Sequence, residues 1–138
     1  MNHVVVVEDD AMNALLFRKL LERRCGCRVT VTESPAELFA LARAGDVALV
    51  LMDVSLANSR HEGRAVSGVD LCRMLKGDPA TRGIPVVLAT AHAMRGDEQA
   101  LLTESGADGY LSKPVVDHIL FEDLVQRSMR RPGDQEAA

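Results

Sequence analysis

A chain of 138 residues has the length of one domain and is too short for two. Its formal net charge of −4 argues against a nucleic-acid or membrane-surface role spread along the chain, and no apolar run is long enough to span a bilayer. Aromatic residues make up only 3%, so aliphatic side chains must build the interior, and the three cysteines lack zinc-site spacing and read as free thiols in a reducing cytosol.

In chain order, Met1-Asn2-His3 leads straight into a first strand, Val4 to Val7, which leaves no room for a signal peptide and points to a cytoplasmic protein. Asp10 is placed to cap a helix whose inner face is read as Met12, Leu15, Leu16 and Leu20, with Gly26 ending it. Arg28 to Thr32 is a second strand, alternating and β-branched. Ser34-Pro35-Ala36-Glu37 is a helix start with a hydroxyl cap, proline at the first helical position and a glutamate placed for a capping box. Leu38, Leu41 and Ala42 form its inner face, and Gly45 ends it. Ala48 to Asp53 is a short, wholly apolar run that stops on a carboxylate, the mark of a strand buried on both faces.

Ala57 to Ser67 is polar and without periodicity, so it reads as a long loop. Val69, Leu71, Cys72 and Leu75 mark a third helix that stops at Gly77-Asp78-Pro79. Ile84 to Ala89 is the fourth strand. A fourth helix from Asp97 to about Ser105 has a thin apolar face of Ala100, Leu101 and Leu102. A short strand at Tyr110-Leu111 and a last helix lined by Phe121, Leu124, Val125 and Met129 complete the pattern. Residues 131–138 form a polar tail expected to be disordered.

The order is βα five times over, which predicts an α/β three-layer sandwich: a parallel sheet with helices on both faces and right-handed crossovers. The flavodoxin-like (βα)5 arrangement, strand order 2-1-3-4-5, fits this pattern. In such sheets ligands bind in the crevice beyond the carboxyl ends of the strands. Four strand ends here carry Glu8 and Asp9, Asp53, Thr90 and Lys113: acids, a hydroxyl and an ammonium suited to phosphate and a metal. Carboxylates about 5 Å apart at an effective dielectric of about 20 repel by roughly 3 kcal/mol, so this cluster is expected to be unfavourable without a cation.

Glu8-Asp9-Asp10 after the first strand, Leu51-Met52-Asp53 after the third, Thr90-Ala91 after the fourth and Lys113-Pro114 after the fifth together resemble the receiver domains of two-component response regulators. The match covers roughly Val4 to Arg130, within a receiver unit of residues 1–130, and the run Ile84 to Glu98 is similar to stand-alone receivers of the DivK type. The resemblance implies that Asp53 is the nucleophile and phosphoacceptor, receiving a phosphoryl group from phosphohistidine. It also implies Mg²⁺, or Mn²⁺ in its place, held by Asp9, Asp53, the main-chain carbonyl of Ser55 and, through a water, Glu8. Lys113 and Thr90 would meet the phosphoryl oxygens, and Thr90 and Tyr110 would form a switch acting on the face of the fourth helix, fifth strand and fifth helix. Ser55 and His92 would set phosphoryl lifetime, and the peptide before Pro114 would be cis.

The partners implied are a sensor histidine kinase or histidine phosphotransfer protein, a downstream protein target and, through that switching face, a second copy of the chain. Direct nucleic-acid binding and membrane insertion are not expected. Such a chain would be a phosphoacceptor with intrinsic self-phosphorylation and dephosphorylation rather than a turnover enzyme. A phosphohydrolase would need a second acid two residues after the nucleophile, where Ser55 stands; a pseudo-receiver, binding partners without phosphorylation, is the alternative. One departure stands out. Ala57 replaces the family's usual proline, and the loop runs on to Ser67, either as a tolerated insertion or as a device bringing Arg60, His61 or Arg64 to the phosphosite or a partner.

Overall fold

A computed structural model of the chain describes residues 1–56, 60–91 and 97–129. Ala57, His92 and the expected tail at 131–138 lie outside the described residues. The elements follow as β1 (His3–Val7), α1 (Ala11–Arg24), β2 (Arg28–Thr32), α2 (Pro35–Arg43), β3 (Val47–Asp53), β4 (Arg60–His61), β5 (Arg64–Ala65), α3 (Gly68–Gly77), β6 (Val86–Thr90), α4 (Asp97–Ser105), β7 (Gly109–Ser112) and α5 (His118–Met129).

Five strands pair in the order β2-β1-β3-β6-β7, every pair parallel. With the short β4 and β5 set aside, this is the flavodoxin-like order 2-1-3-4-5. The sheet is buried on both faces, and the period-2 alternation of its strands sorts side chains into two cores. Val4, Val6, Leu49, Leu51, Val87 and Ala89 pack with Phe17, Leu20 and Leu21 of α1 and Phe121 and Val125 of α5. Their neighbours Val5, Val7, Val50, Met52, Val86 and Leu88 face Leu38 and Ala42 of α2 and Leu71, Cys72 and Leu75 of α3. No helix among the described residues is long and apolar enough to cross a membrane.

The inner face of α1 keeps Leu16 and Leu20 of the sequence reading but not Met12 and Leu15. Met12 and Leu15 are 75% and 46% exposed, whereas Phe17, Leu20 and Leu21 are buried. An apolar helix with two adjacent stripes can turn either inward, and a shift of one position is about 100° of rotation. Phe17 decides the choice, because its ring stacks on Phe121 of α5 with centroids 5.9 Å apart and planes 11° apart. The caps are as read for α1, where Asp10 Oδ1 accepts from the backbone N–H of Met12 and Asn13. Ser34 Oγ accepts from Glu37 N, while the capping box with both halves made lies at α3, between Ser67 and Asp70.

The supposed loop before α3 is in part a hairpin. β4 and β5 pair antiparallel through Arg60–Ala65 and His61–Arg64. Glu62 and Gly63 between them take positive φ of 53° and 82°, as two-residue hairpin turns require. Strands of two residues are too short to show periodicity, so only Gly63 hinted at the turn. The hairpin lies against α2: the His61 ring meets Phe39 edge-on with centroids 5.0 Å apart, and Arg60 Nη1 donates to the Gly63 carbonyl within the hairpin. The contact made by His61 is thus with α2 and not with the carboxylates at the strand ends.

Because the buried face of α1 carries Leu21 and not Leu15, Leu21→Ala is expected to cost about 2–5 kcal/mol and Leu15→Ala under about 0.5 kcal/mol in urea unfolding. Equal losses would contradict this orientation.

Candidate functional site

The carboxyl edge of the sheet is held by hydrogen bonds that continue each ladder one step past its strands. Glu8 N donates to Thr32 O at 3.2 Å, Val54 N to Ala89 O at 2.9 Å and Lys113 N to Thr90 O at 2.8 Å. The backbone carrying each charged group is therefore anchored where it leaves the sheet. From these points four side chains converge. Lys113 Nζ lies 2.9 Å from Asp53 Oδ1 and 3.3 Å from Glu8 Oε2. One oxygen each of Glu8, Asp9 and Asp53 lie within 4.8 Å of one another.

The carboxylates of Glu8 and Asp53 are 1% and 3% exposed, so bulk water does little to screen them. Backbone donors take up part of the charge: Asp10 N donates to Glu8 Oε1 and Ser55 N to Asp53 Oδ1, each at 3.2 Å. Burial and then the neighbouring charge of Asp53 still push Glu8 up to about 7, with Lys113 pulling the other way. For Lys113, burial works against the ammonium, but the hydrogen bond to Asp53 and the charge of Glu8 outweigh it and hold the group above its ordinary value. Three oxygen donors crowded in a buried, acidic spot fit a small hard divalent cation, which takes oxygen ligands and offsets this repulsion.

Thr90, 8% exposed, ends β6 and pairs in register with Ser112, one residue before Lys113. Tyr110 is half-buried on β7, opposite Leu88, and packs on the core shared with α3. Ser55 is exposed and meets Asp53 through its N–H. The Lys113–Pro114 peptide is cis. His92 lies outside the described residues, so its relation to the site is not part of this geometry. One residue that the motifs did not single out also touches the site. Gly68, the first residue of α3, donates its N–H to Val54 O at 3.0 Å, and its Cα lies against the Asp53 carbonyl. Its sequence signal is slight: a glycine opening a helix whose cap, Ser67, is already in place.

Comparison with known proteins identifies the family. The response regulator receiver domain matches residues 4–125. The chain belongs to the response regulator receiver family. It is 39% identical over 112 residues to the polar-differentiation response regulator DivK of Brucella ovis, covering 81% of this chain and 84% of that one. Among solved structures it is similar to the receiver domain of a sensor histidine kinase from Pseudomonas aeruginosa, which has a magnesium ion coordinated in its active-site cleft. That likeness has a TM-score of 0.75 and 25% identity and covers 93% of this chain and 97% of the other. A response regulator receiver protein from Methanoculleus marisnigri matches at 29% identity with a TM-score of 0.67, over 95% of this chain and 99% of the other. In this receiver, Glu8, Asp9 and Asp53 form an acidic cluster that could hold a metal.

Glu8 gives this receiver a pH signature. Its carboxyl binds a proton more readily in the fold, at about 7, than at the ordinary 4.5 of an unfolded chain. The stabilisation from protonation is complete below the lower value and is lost as pH rises through about 7. Melting curves in chelator between about pH 5 and about pH 8 should fall for the parent relative to Glu8→Gln; parallel curves would show that Glu8 is not perturbed. Taking the difference removes the opposite contribution of His3, whose burial lowers its pKa and which loses stability as pH falls.

Proposed function

We propose that this receiver takes a phosphoryl group from the phosphohistidine of a sensor histidine kinase, or of a histidine phosphotransfer protein, onto Asp53. The observation that carries the reading is the seat of Lys113, whose ammonium lies within hydrogen-bond reach of Asp53 and Glu8 together. In the transfer an Asp53 carboxylate oxygen attacks phosphorus, the P–N bond breaks, and its electron pair stays on the imidazole nitrogen, which takes up a proton. Two donors on Asp53 Oδ1, Lys113 Nζ and Ser55 N, hold the carboxylate's orientation before the donor arrives. Lys113 is free to follow the charge onto the phosphoryl oxygens as it forms, and Thr90 stands at the neighbouring strand end to meet them with its hydroxyl.

Asp9, Asp53 and the Ser55 carbonyl would hold Mg²⁺, or Mn²⁺, with Glu8 acting through a water. When bound, the cation neutralises charge on the acceptor and the transferring oxygens. Burial of the site limits water's access to the acyl phosphate, and Ser55 and His92 are the positions assigned to tuning its lifetime.

The signal leaves through protein contact. Thr90 and Tyr110 couple Asp53 to a face of α4, β7 and α5, where a downstream target or a second copy of the chain would dock. Two features of that face support the reading. The described side chains of α4 reach the core chiefly through Leu101 and the buried Ser105, a light attachment suited to an element that moves. On α5, Ile119 and Leu120 are 71% and 65% exposed, apolar surface of the kind that protein partners cover.

Incubation with acetyl phosphate and Mg²⁺, followed by intact mass and site mapping, should add one phosphoryl group, on Asp53. Asp53→Asn should take none. Lys113→Ala should slow the transfer about 10-fold or more, as loss of a charge-stabilising group does. A parent chain that stays unmodified would leave a pseudo-receiver, a binding module working without phosphorylation, as the reading of this site.

A further inference from the structure

The strand end bearing Asp53 is backed by a helix start that comes closer than a side chain allows. A Cβ built on Gly68 would overlap the Asp53 carbonyl oxygen, crowd the Asp53 carbonyl carbon and press on Met52 Cγ. Gly68 has no positive φ to explain it, and the first turn of a helix accepts most residues. The requirement is for close approach alone. The same residue donates its N–H to the Val54 carbonyl, so the segment that turns from β3 toward Ser55 is held by contact at one residue and by a hydrogen bond at the next.

Neither side of this contact can retreat without loss. Behind Gly68, α3 is fixed by its Ser67–Asp70 capping box and by Leu71 and Cys72, both fully buried. In front, β3 is a central strand, paired with β1 and β6, and Met52 and Asp53 are themselves buried. An atom added between them must move Asp53, whose carboxylate has to stay within reach of Lys113 and of the oxygens of Glu8 and Asp9.

We infer that Gly68 is a positioning residue for the phosphoacceptor: the side-chain-free start of α3 sets where the Asp53–Ser55 segment presents its oxygens. This rests on the reading of Asp53 as phosphoacceptor and deepens it, since it assigns the geometry of the cation and phosphoryl site partly to a residue that touches neither ligand. It also gives the hairpin of β4 and β5 a boundary. The segment between Asp53 and α3 can depart toward Phe39 of α2, but it must return so that residue 68 meets the end of β3.

The test uses the full chain and three variants. Gly68→Ala adds the clashing atom; Gly77→Ala adds one at the other end of α3, where nothing lies within 4 Å. Ser67→Ala adds nothing but frees the first turn of α3 by removing its cap. Calorimetric titration with Mg²⁺ alone, melting curves in chelator and phosphorylation by acetyl phosphate at saturating Mg²⁺ are measured on each. A misplacement of about 1 Å can cost on the order of 100-fold in rate, so Gly68→Ala should weaken Mg²⁺ binding and slow phosphorylation by about 10-fold or more. Gly77→Ala should match the parent in both. Should Gly68→Ala fail to fold, Ser67→Ala decides: about threefold or more weaker Mg²⁺ binding supports the clamp, and parental binding in a less stable chain overturns it. A folded Gly68→Ala within about twofold of the parent in Mg²⁺ affinity and rate also overturns it. A parent that binds Mg²⁺ but takes no phosphoryl group removes the phosphoacceptor reading, and Mg²⁺ affinity then decides the role of Gly68 by itself.

Discussion

The interaction on which the rest of this molecule depends is one ammonium set against two buried carboxylates. Lys113 leaves the sheet just beyond Thr90, and its amine reaches Asp53 and Glu8, both almost wholly withdrawn from water. Burial works against the charge of Glu8 in that position, since burying an isolated carboxylate is strongly unfavourable. The fold tolerates the arrangement because the backbone at each strand end is fixed by ladder bonds, so charges that repel cannot simply move apart. That rigidity holds Glu8, Asp9 and Asp53 together beside the Lys113 ammonium, an arrangement that could hold a cation.

The two cores flanking the sheet are built differently. On the side of α1 and α5, stacked Phe17 and Phe121 join the first helix to the last. The opposite side is filled by aliphatic residues, Met52, Cys72 and, beneath the hairpin, Phe39, with Leu101 of α4 and Tyr110 of β7 only partly buried at its margin. One half of the molecule is joined by a stacked aromatic pair, while the other ends at side chains that are only partly buried.

Much of this was legible in the sequence, for reasons that can be named. Strands buried on both faces read as unbroken apolar runs, and Val4 to Val7 and Ala48 to Met52 were visible for that reason. The βα alternation leads to a parallel sheet, and the charged residues that end its strands fall on one edge. What escaped were features decided by contacts distant in the chain. The inward face of α1 was settled by Phe121, far along the sequence. The hairpin was hidden because two-residue strands have no period, and His61 finds its partner on α2. Gly68 drew no reading from the sequence because the atom that excludes a side chain there belongs to Asp53, across the insertion.

The half-buried seat of Tyr110 has one more consequence. The chain contains a single tyrosine and no tryptophan. Its ultraviolet emission therefore originates from one phenol ring, on the edge strand of the sheet and opposite Leu88. The molecule carries its own optical label at β7, so intrinsic fluorescence reads that strand's surroundings without any dye or engineered residue.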